Sequence, residues 1–200
     1  MSKENLPVVA AFDFDGTITT RDTLLPFLIE CFGLSVAPAA LLSFLRSLKV
    51  TREKFRDRFK RNILRILFEG KPVAEIYSKT EIHLERIQSW IRPGAIFQIQ
   101  KHKASGHRLV LVSASLDIYL SHVARRLGFD DLLCTKMEVS GQTFTGRLVG
   151  CNCRGPEKVR QLTELLGSFD NHRIIAYGDS AGDREMICAA HLSEYRPFRG

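Results

Sequence analysis

The sequence predicts an α/β protein: a Rossmann-like, doubly wound parallel sheet with an all-helical segment inserted after its first strand. Three observations carry this expectation. Short apolar runs at Val8–Phe12, 108–112 and 173–177 each end in small polar or acidic residues. Stretches with the apolar period of helices lie between them, and a repeated strand-then-helix order belongs to a parallel sheet covered on both faces. Residues 21–92 carry no strand signal, so a core over 1–20 and 93–200 is expected to hold 21–92 as a helical insertion.

The first run, Val8-Val9-Ala10-Ala11-Phe12, is apolar on both faces, as a buried parallel strand must be. It stops at Asp13-Phe14-Asp15-Gly16-Thr17, and ligands in open α/β sheets bind at the carboxyl ends of strands. In extended geometry Asp13 and Asp15 point the same way. Two carboxylates so close repel, so either a cation lies between them or one holds a proton.

At 200 residues, with 44% apolar and 26% charged residues, the composition is that of a soluble globular protein. The net charge of +7 favours anionic ligands. Five scattered cysteines and an opening that does not read as a signal peptide give the expectation of reduced thiols in a cytoplasmic protein. Cys151 and Cys153 stand too close for a zinc pair.

From 24 to 45 the chain is apolar, with Glu30 its only charge, and is long enough to span a membrane. Pro26, Gly33 and Pro38 are expected to cut it into two packed helices. From 46 to 65 nine basic residues face two acidic ones, Glu53 and Asp57. Phe55, Phe59, Ile63 and Leu67 share one helical face, and Arg52, Arg56 and Lys60 form a second stripe. That stripe is expected to face water, an anionic substrate or, weakly, an anionic membrane surface, which would make the protein membrane-peripheral. The cluster has little aromatic interleaving, so nucleic acid is not an expected partner.

One helix is expected over 73–91 and another from Pro93 to Gly106, with His102 and His107 structural. The strand at 108–112 runs into Ser113-Ala114-Ser115, followed by a helix to Leu127 that Gly128 stops. Residues 136–150 read as a hairpin about Gly141. A helix opens at Gly155-Pro156 and carries Lys158. The third strand ends at Gly178-Asp179-Ser180-Ala181-Gly182-Asp183, and a short strand is expected at 192–195. Converging strand ends would gather several carboxylates around one hard cation. Mg²⁺ suits such oxygen donors.

This order resembles the haloacid dehalogenase (HAD) superfamily of phosphohydrolases. Phe12-Asp13-Phe14-Asp15-Gly16-Thr17 looks like its first motif and Leu111-Val112-Ser113 its second. Lys158 matches the third, and Gly178-Asp179-Ser180-Ala181-Gly182-Asp183 the fourth. The insertion resembles the family's C1 cap, and the hairpin before Gly155 is similar to the phosphoserine-phosphatase-like subfamily IB.

The resemblance implies a Mg²⁺-dependent phosphomonoesterase acting on a small or lipid-linked phosphate ester. Asp13 would be the nucleophile forming an aspartyl-phosphate, and Asp15 the general acid and base. Ser113, the Ala114 amide and Lys158 would bind the phosphoryl oxygens. Asp13, the Asp15 carbonyl and Asp179 would hold Mg²⁺, with Asp183 behind them. Asp22 stands where phosphoserine phosphatases commonly carry a glutamate that reads the substrate amine, and Gly182 where they carry Asn. A catalytically idle, partner-binding HAD fold is the alternative, and the presence of every expected catalytic residue type speaks against it.

Overall fold

Strand β1 (Val8–Phe12) lies inside a six-stranded sheet with β2 (Arg108–Leu116), β3 (Asp131–Ser140), β4 (Thr143–Val149), β5 (Arg173–Gly178) and β6 (Leu192–Tyr195), in the order β4-β3-β2-β1-β5-β6. All neighbours are parallel except the β3–β4 hairpin. The computed structural model describes residues 6–48 and 51–199, and only the backbone at 52–54. Within it the alternation along β1 feeds two apolar clusters. Ala10 and Phe12 join Leu109, Leu111 and Tyr177, whereas Val9 and Ala11 join Val110, Val112, Ile174 and Leu162. Burial of both faces is what the unbroken apolar run required.

Between β1 and β2 the chain is helical: α1 (Leu24–Phe32), α2 (Val36–Ser47), α3 (Arg52–Phe68), α4 (Val73–Ser78), α5 (Thr80–Trp90) and α6 (Pro93–Ala104). It leaves and re-enters the sheet region side by side. Thr19 bridges Ile91, and the Arg92 amide donates to the Ile18 carbonyl at 2.8 Å. Helix α7 (Asp117–Leu127) links β2 to β3, and α8 (Pro156–Leu166) and α9 (Arg184–Ala189) follow the hairpin and β5.

Several expectations need correction. Pro26 and Pro38 do not cut the apolar stretch; each sits in the first turn of a helix, where its missing N–H costs nothing. Only Gly33, with φ +54°, breaks it. The segment 73–91 is two helices, interrupted at Lys79, whose amide bonds the carbonyls of Ile76 and Tyr77. Strand β2 continues past Val112 to Leu116 through a bulge between Ser113 and Leu116. The first half of β3, Asp131 to Thr135, pairs parallel with β2. Its two leucines and lack of β-branched alternation hid it.

Glu30, the lone charge of the apolar stretch, is held by Arg86 at 2.8 Å and His83 at 2.9 Å. Burial pushes His83 down to about 4, so the neutral imidazole meets Glu30 by a hydrogen bond. His102 is structural, as expected: buried, with its Nε2 2.8 Å from the Tyr177 hydroxyl.

Phe68 ties the insertion to the sheet. It is fully buried and packs edge-on against Phe32 of α1 and Phe144 of β4. Phe68→Ala should therefore cost roughly 3–5 kcal/mol in urea unfolding. A loss under about 1 kcal/mol would mean that α3 does not anchor the insertion through this ring.

Candidate active site

The carboxyl ends of β1, β2 and β5 and the start of α8 meet around one buried lysine. Lys158 lies in the first turn of α8, launched by Gly155 and Pro156. Its Nζ donates to Asp13 Oδ1 at 2.6 Å, to the Val112 carbonyl at 2.7 Å and to Asp183 Oδ1 at 2.6 Å. All three N–H groups are thus engaged. The Asp13 and Asp183 charges raise Lys158 against the pull of its burial, so it stays a cation. Burial pushes Asp13 up to about 7 even against Lys158. Thr17 closes the other side of Asp13, donating from Oγ1 to Oδ2 at 2.9 Å.

After Asp13 the chain makes one wide turn, Phe14–Ile18, that opens at Asp15 and Gly16. Gly16 has φ +80°, and a Cβ there would come within 2.4 Å of Asp179 Oδ2. Only glycine lets the two strand ends approach so closely. Asp13, Asp179 and Asp183 each offer an oxygen within 4.8 Å of the others. An all-carboxylate set of this kind fits a hard divalent cation. Arg199 donates to Asp179 Oδ2 at 2.7 Å, and Asp183 Oδ2 accepts from the Asp179 and Ser180 amides and the Ser180 hydroxyl.

The Asp15 carboxylate turns away from this cluster. Oδ1 accepts from the Thr23 amide at 2.7 Å and the Thr23 hydroxyl at 2.6 Å, and Oδ2 from Ser115 Oγ at 2.5 Å. Tyr119 Oη lies 3.0 Å behind Thr23 Oγ1. Burial, and then the charge of Asp22, push Asp15 up to about 6. A carboxyl poised near neutrality is suited to giving and taking a proton.

These groups line a cleft of about 500 Å³ that also holds Arg21, Asp22, Arg56, Asp57, Lys60, Ala114, Asn152, Arg154 and Arg199. A larger hollow of about 710 Å³ opens between Leu84, Ile96 and Val123, away from the carboxylates, and its lining is mostly apolar. The strand-end carboxylates and Lys158 gather at the smaller cleft.

The structure therefore brings Asp13, Asp15, Ala114, Lys158, Asp179 and Asp183 together, with Asp22 at the mouth. One Asp22 oxygen there accepts the Leu25 amide at 3.1 Å, at the start of α1. Ser113 differs from expectation. It is fully buried behind the cleft wall, its Oγ accepting the Ser115 amide at 3.0 Å, and the bulge in β2 puts Ser115 on the cleft instead.

Of the stripe expected to face water, an anionic substrate or an anionic membrane surface, Arg56 and Lys60 line the cleft. Lys60 reaches inward to the Ala114 carbonyl, to Asn152 Oδ1 at 2.6 Å and to Thr135 Oγ1 at 3.3 Å. Burial pushes it down to about 8. Asn152 in turn donates to Asp57 at 2.6 Å. Arg56 faces the cleft, and the Arg52 side chain lies outside the described residues.

Sequence reasoning missed Thr23, Ser115, Asn152, Arg154 and Arg199. Ser115 stood in plain view beside Ser113, but nothing local marked the others. Gly182 gains a reason: a Cβ there would lie 3.1 Å from the Arg154 side chain, so glycine leaves room for that guanidinium.

Residues 10–187 match the model of the haloacid dehalogenase-like hydrolase family. The chain belongs to that family. This hydrolase is 35% identical over 202 residues to protein CicA of Caulobacter vibrioides, covering 97% of this chain and 88% of CicA. It is 31% identical over 192 residues to a phosphoserine phosphatase of Albidiferax ferrireducens, covering 92% and 76%. Among solved structures, a Bordetella pertussis protein of unknown function superposes with TM-score 0.77 at 20% identity, covering 94% and 89%. A substrate-bound phosphoserine phosphatase superposes with TM-score 0.64 at 20% identity, covering 94% and 85%. The hydrolase shares their fold.

The raised position of Asp15 predicts a pH signature. In the metal-free protein the folded state keeps the Asp15 proton between the ordinary 3.8 and about 6, where the unfolded chain has lost it. Stability contributed by this group is full below that window and falls as pH rises through it. His83 and His102, both pushed down to about 4 by burial, act in the opposite direction. The difference between wild type and Asp15→Asn isolates the carboxyl. In urea unfolding, wild type should lose stability relative to Asp15→Asn from pH 4 to pH 6.5. A flat difference would contradict the assignment.

Proposed function

We propose that the protein is a Mg²⁺-dependent phosphomonoesterase working through an aspartyl-phosphate on Asp13, with a small or lipid-linked phosphate ester as substrate. The observation that carries this reading is the pair at the end of β1. Asp13 is fixed by Lys158 and Thr17, and two residues on, Asp15 stands near its titration midpoint. An Asp13 oxygen attacks phosphorus as the bond to the ester oxygen breaks, and Asp15 gives that oxygen its proton. Asp15 then takes a proton from water, whose oxygen attacks the phosphoryl group, freeing Asp13 and inorganic phosphate.

Lys158 holds Asp13 in place and offsets charge next to the reacting phosphoryl group. The amides of the loop at Ala114 and Ser115 are suited to its oxygens. Mg²⁺, held by Asp13, the Asp15 carbonyl and Asp179 with Asp183 behind them, would neutralise phosphoryl charge and relieve carboxylate repulsion. Helices α1 to α5 would act as the cap that selects the substrate. Among the described side chains, Arg56 and Arg154 line the cleft with no hydrogen-bonded or ionic partner, whereas Arg21 rests on the Trp90 ring. Two such guanidinia favour an ester that carries a second anionic group.

Asp13→Asn should keep the fold and lower turnover by about a thousandfold or more. Acid-quenched wild type should carry one phosphoryl group on the peptide containing Asp13, as read by mass spectrometry. Near wild-type turnover in Asp13→Asn would end this reading. Mg²⁺ should raise Tm and activate, EDTA should reverse both, and Ca²⁺ should substitute poorly because it accepts extra oxygen ligands. Full activity without metal would exclude the metal role.

Replacing Arg56 and Arg154 by Met should raise KM roughly tenfold or more for esters with a second anion, such as phosphoserine, lysophosphatidate or phosphatidylglycerophosphate. The constants for p-nitrophenyl phosphate should change little. Equal effects on both substrate types would remove the second anion from the proposal.

A further inference from the structure

Helix α2 is built inside out. Its buried side is small and partly polar: Val36, Ala39, Ser43 and Ser47. The Ser43 and Ser47 hydroxyls donate back to the Ala39 and Ser43 carbonyls at 2.7 Å each, and Asn62 of α3 donates to Ser47 Oγ at 3.2 Å. The large apolar residues point outward instead. Leu41, Leu45 and Leu48 are more than half exposed, and Phe44 is 46% exposed. At 3.6 residues per turn, positions 37, 38, 41, 42, 44, 45 and 48 fall on one arc of roughly 160° with no charge inside it. Leu34, in the turn just before α2, is 95% exposed. A soluble helix normally turns such a face to its core. A contiguous apolar face left on the surface marks a place where something docks.

Two features narrow the occupant. The whole stretch Leu24–Ser47 has the length and hydropathy of a membrane span. Yet Phe27, Leu28 and Cys31 of α1 are buried in the core, and the small side of α2 is bonded to α3. What stays free on α2 is the outward face at Leu41, Leu45 and Leu48, with Phe44 edge-on to Phe55 of α3, which suits lying in a membrane interface rather than crossing it. The surroundings are strongly basic. Arg46 borders the arc, and Arg58, Arg61 and Arg65 are exposed together on one face of α3, the helix against which α2 packs. A second copy docked there would bring two such clusters together. An anionic lipid surface complements them.

We propose that the outward face of α2 seats the protein on an anionic bilayer, with Leu41, Phe44, Leu45 and Leu48 in the acyl boundary and the α3 arginines at the headgroups. The proposal does not depend on the catalytic reading, because none of these residues belongs to the cleft.

Vesicle sedimentation tests it, using phosphatidylcholine vesicles with and without phosphatidylglycerol. Wild type should pellet with the phosphatidylglycerol-containing vesicles, and added salt should weaken this. Leu41→Gln/Leu45→Gln/Leu48→Gln should lower the partition coefficient roughly tenfold or more. Arg58→Glu/Arg61→Glu should abolish the preference for the anionic vesicles. These positions are exposed, so both variants should fold, with circular dichroism as the check. Hydrolysis of p-nitrophenyl phosphate in vesicle-free buffer should match wild type. Should no protein hydrolyse it, the catalytic reading fails while the vesicle result still stands. Wild type remaining in the supernatant, or a leucine variant that binds as wild type does, overturns the proposal. So does a wild-type dimer in ultracentrifugation that the leucine variant converts to monomer, because the face would then be an interface between copies.

Discussion

Lys158 is the interaction on which the site depends. Its ammonium joins Asp13, Asp183 and the Val112 carbonyl, and so ties the ends of β1, β2 and the loop after β5 to the start of α8. Without it, buried Asp13 and Asp183 would face each other with no compensating charge. A buried charge left unpaired in this way costs several kcal/mol. The ion cluster is thus structural glue and chemistry at once. The sheet register, the glycine at position 16 and the Gly155-Pro156 helix start all serve to bring these groups to one point.

The Asp15 carboxyl answers to a different part of the molecule. Its partners, Thr23 and Ser115, come from the start of the helical insertion and from the bulged end of β2. Asp13 is therefore held by the core alone, whereas Asp15 is held jointly by core and insertion. Lys60 crosses the same boundary from α3 to the Ala114 carbonyl. The cleft is closed by polar contacts that start in the insertion and end on the loop expected to meet the phosphoryl group.

Much of this was legible in the sequence. The three central strands, the helix starts at Pro93 and Pro156 and the strand-end acids followed from local pattern, because a buried parallel strand and a glycine turn leave strong marks. What escaped depended on distance. Lys60 shares a helical stripe with Arg56, but its direction is set by Asn152 and Thr135, far along the chain. In a regular strand Ser113 and Ser115 would share a face, and only the bulge in pairing with β3 separates them and leaves Ser115 on the cleft. Composition likewise marked the stretch that holds α2 as apolar. It could not tell which face turns inward, since that depends on how closely α3 approaches.

The paired neck of the insertion, Thr19 against Ile91, has an evolutionary consequence. Everything between those residues is, in topological terms, a side branch whose two ends already touch. Lengthening or replacing the branch leaves the pairing of β1 with β2 and β5 intact, because no strand of the sheet has to shift to absorb the change. The strand pairing can thus stay fixed while the branch changes, provided that Thr23 and Lys60 keep their reach to Asp15 and the Ala114 carbonyl.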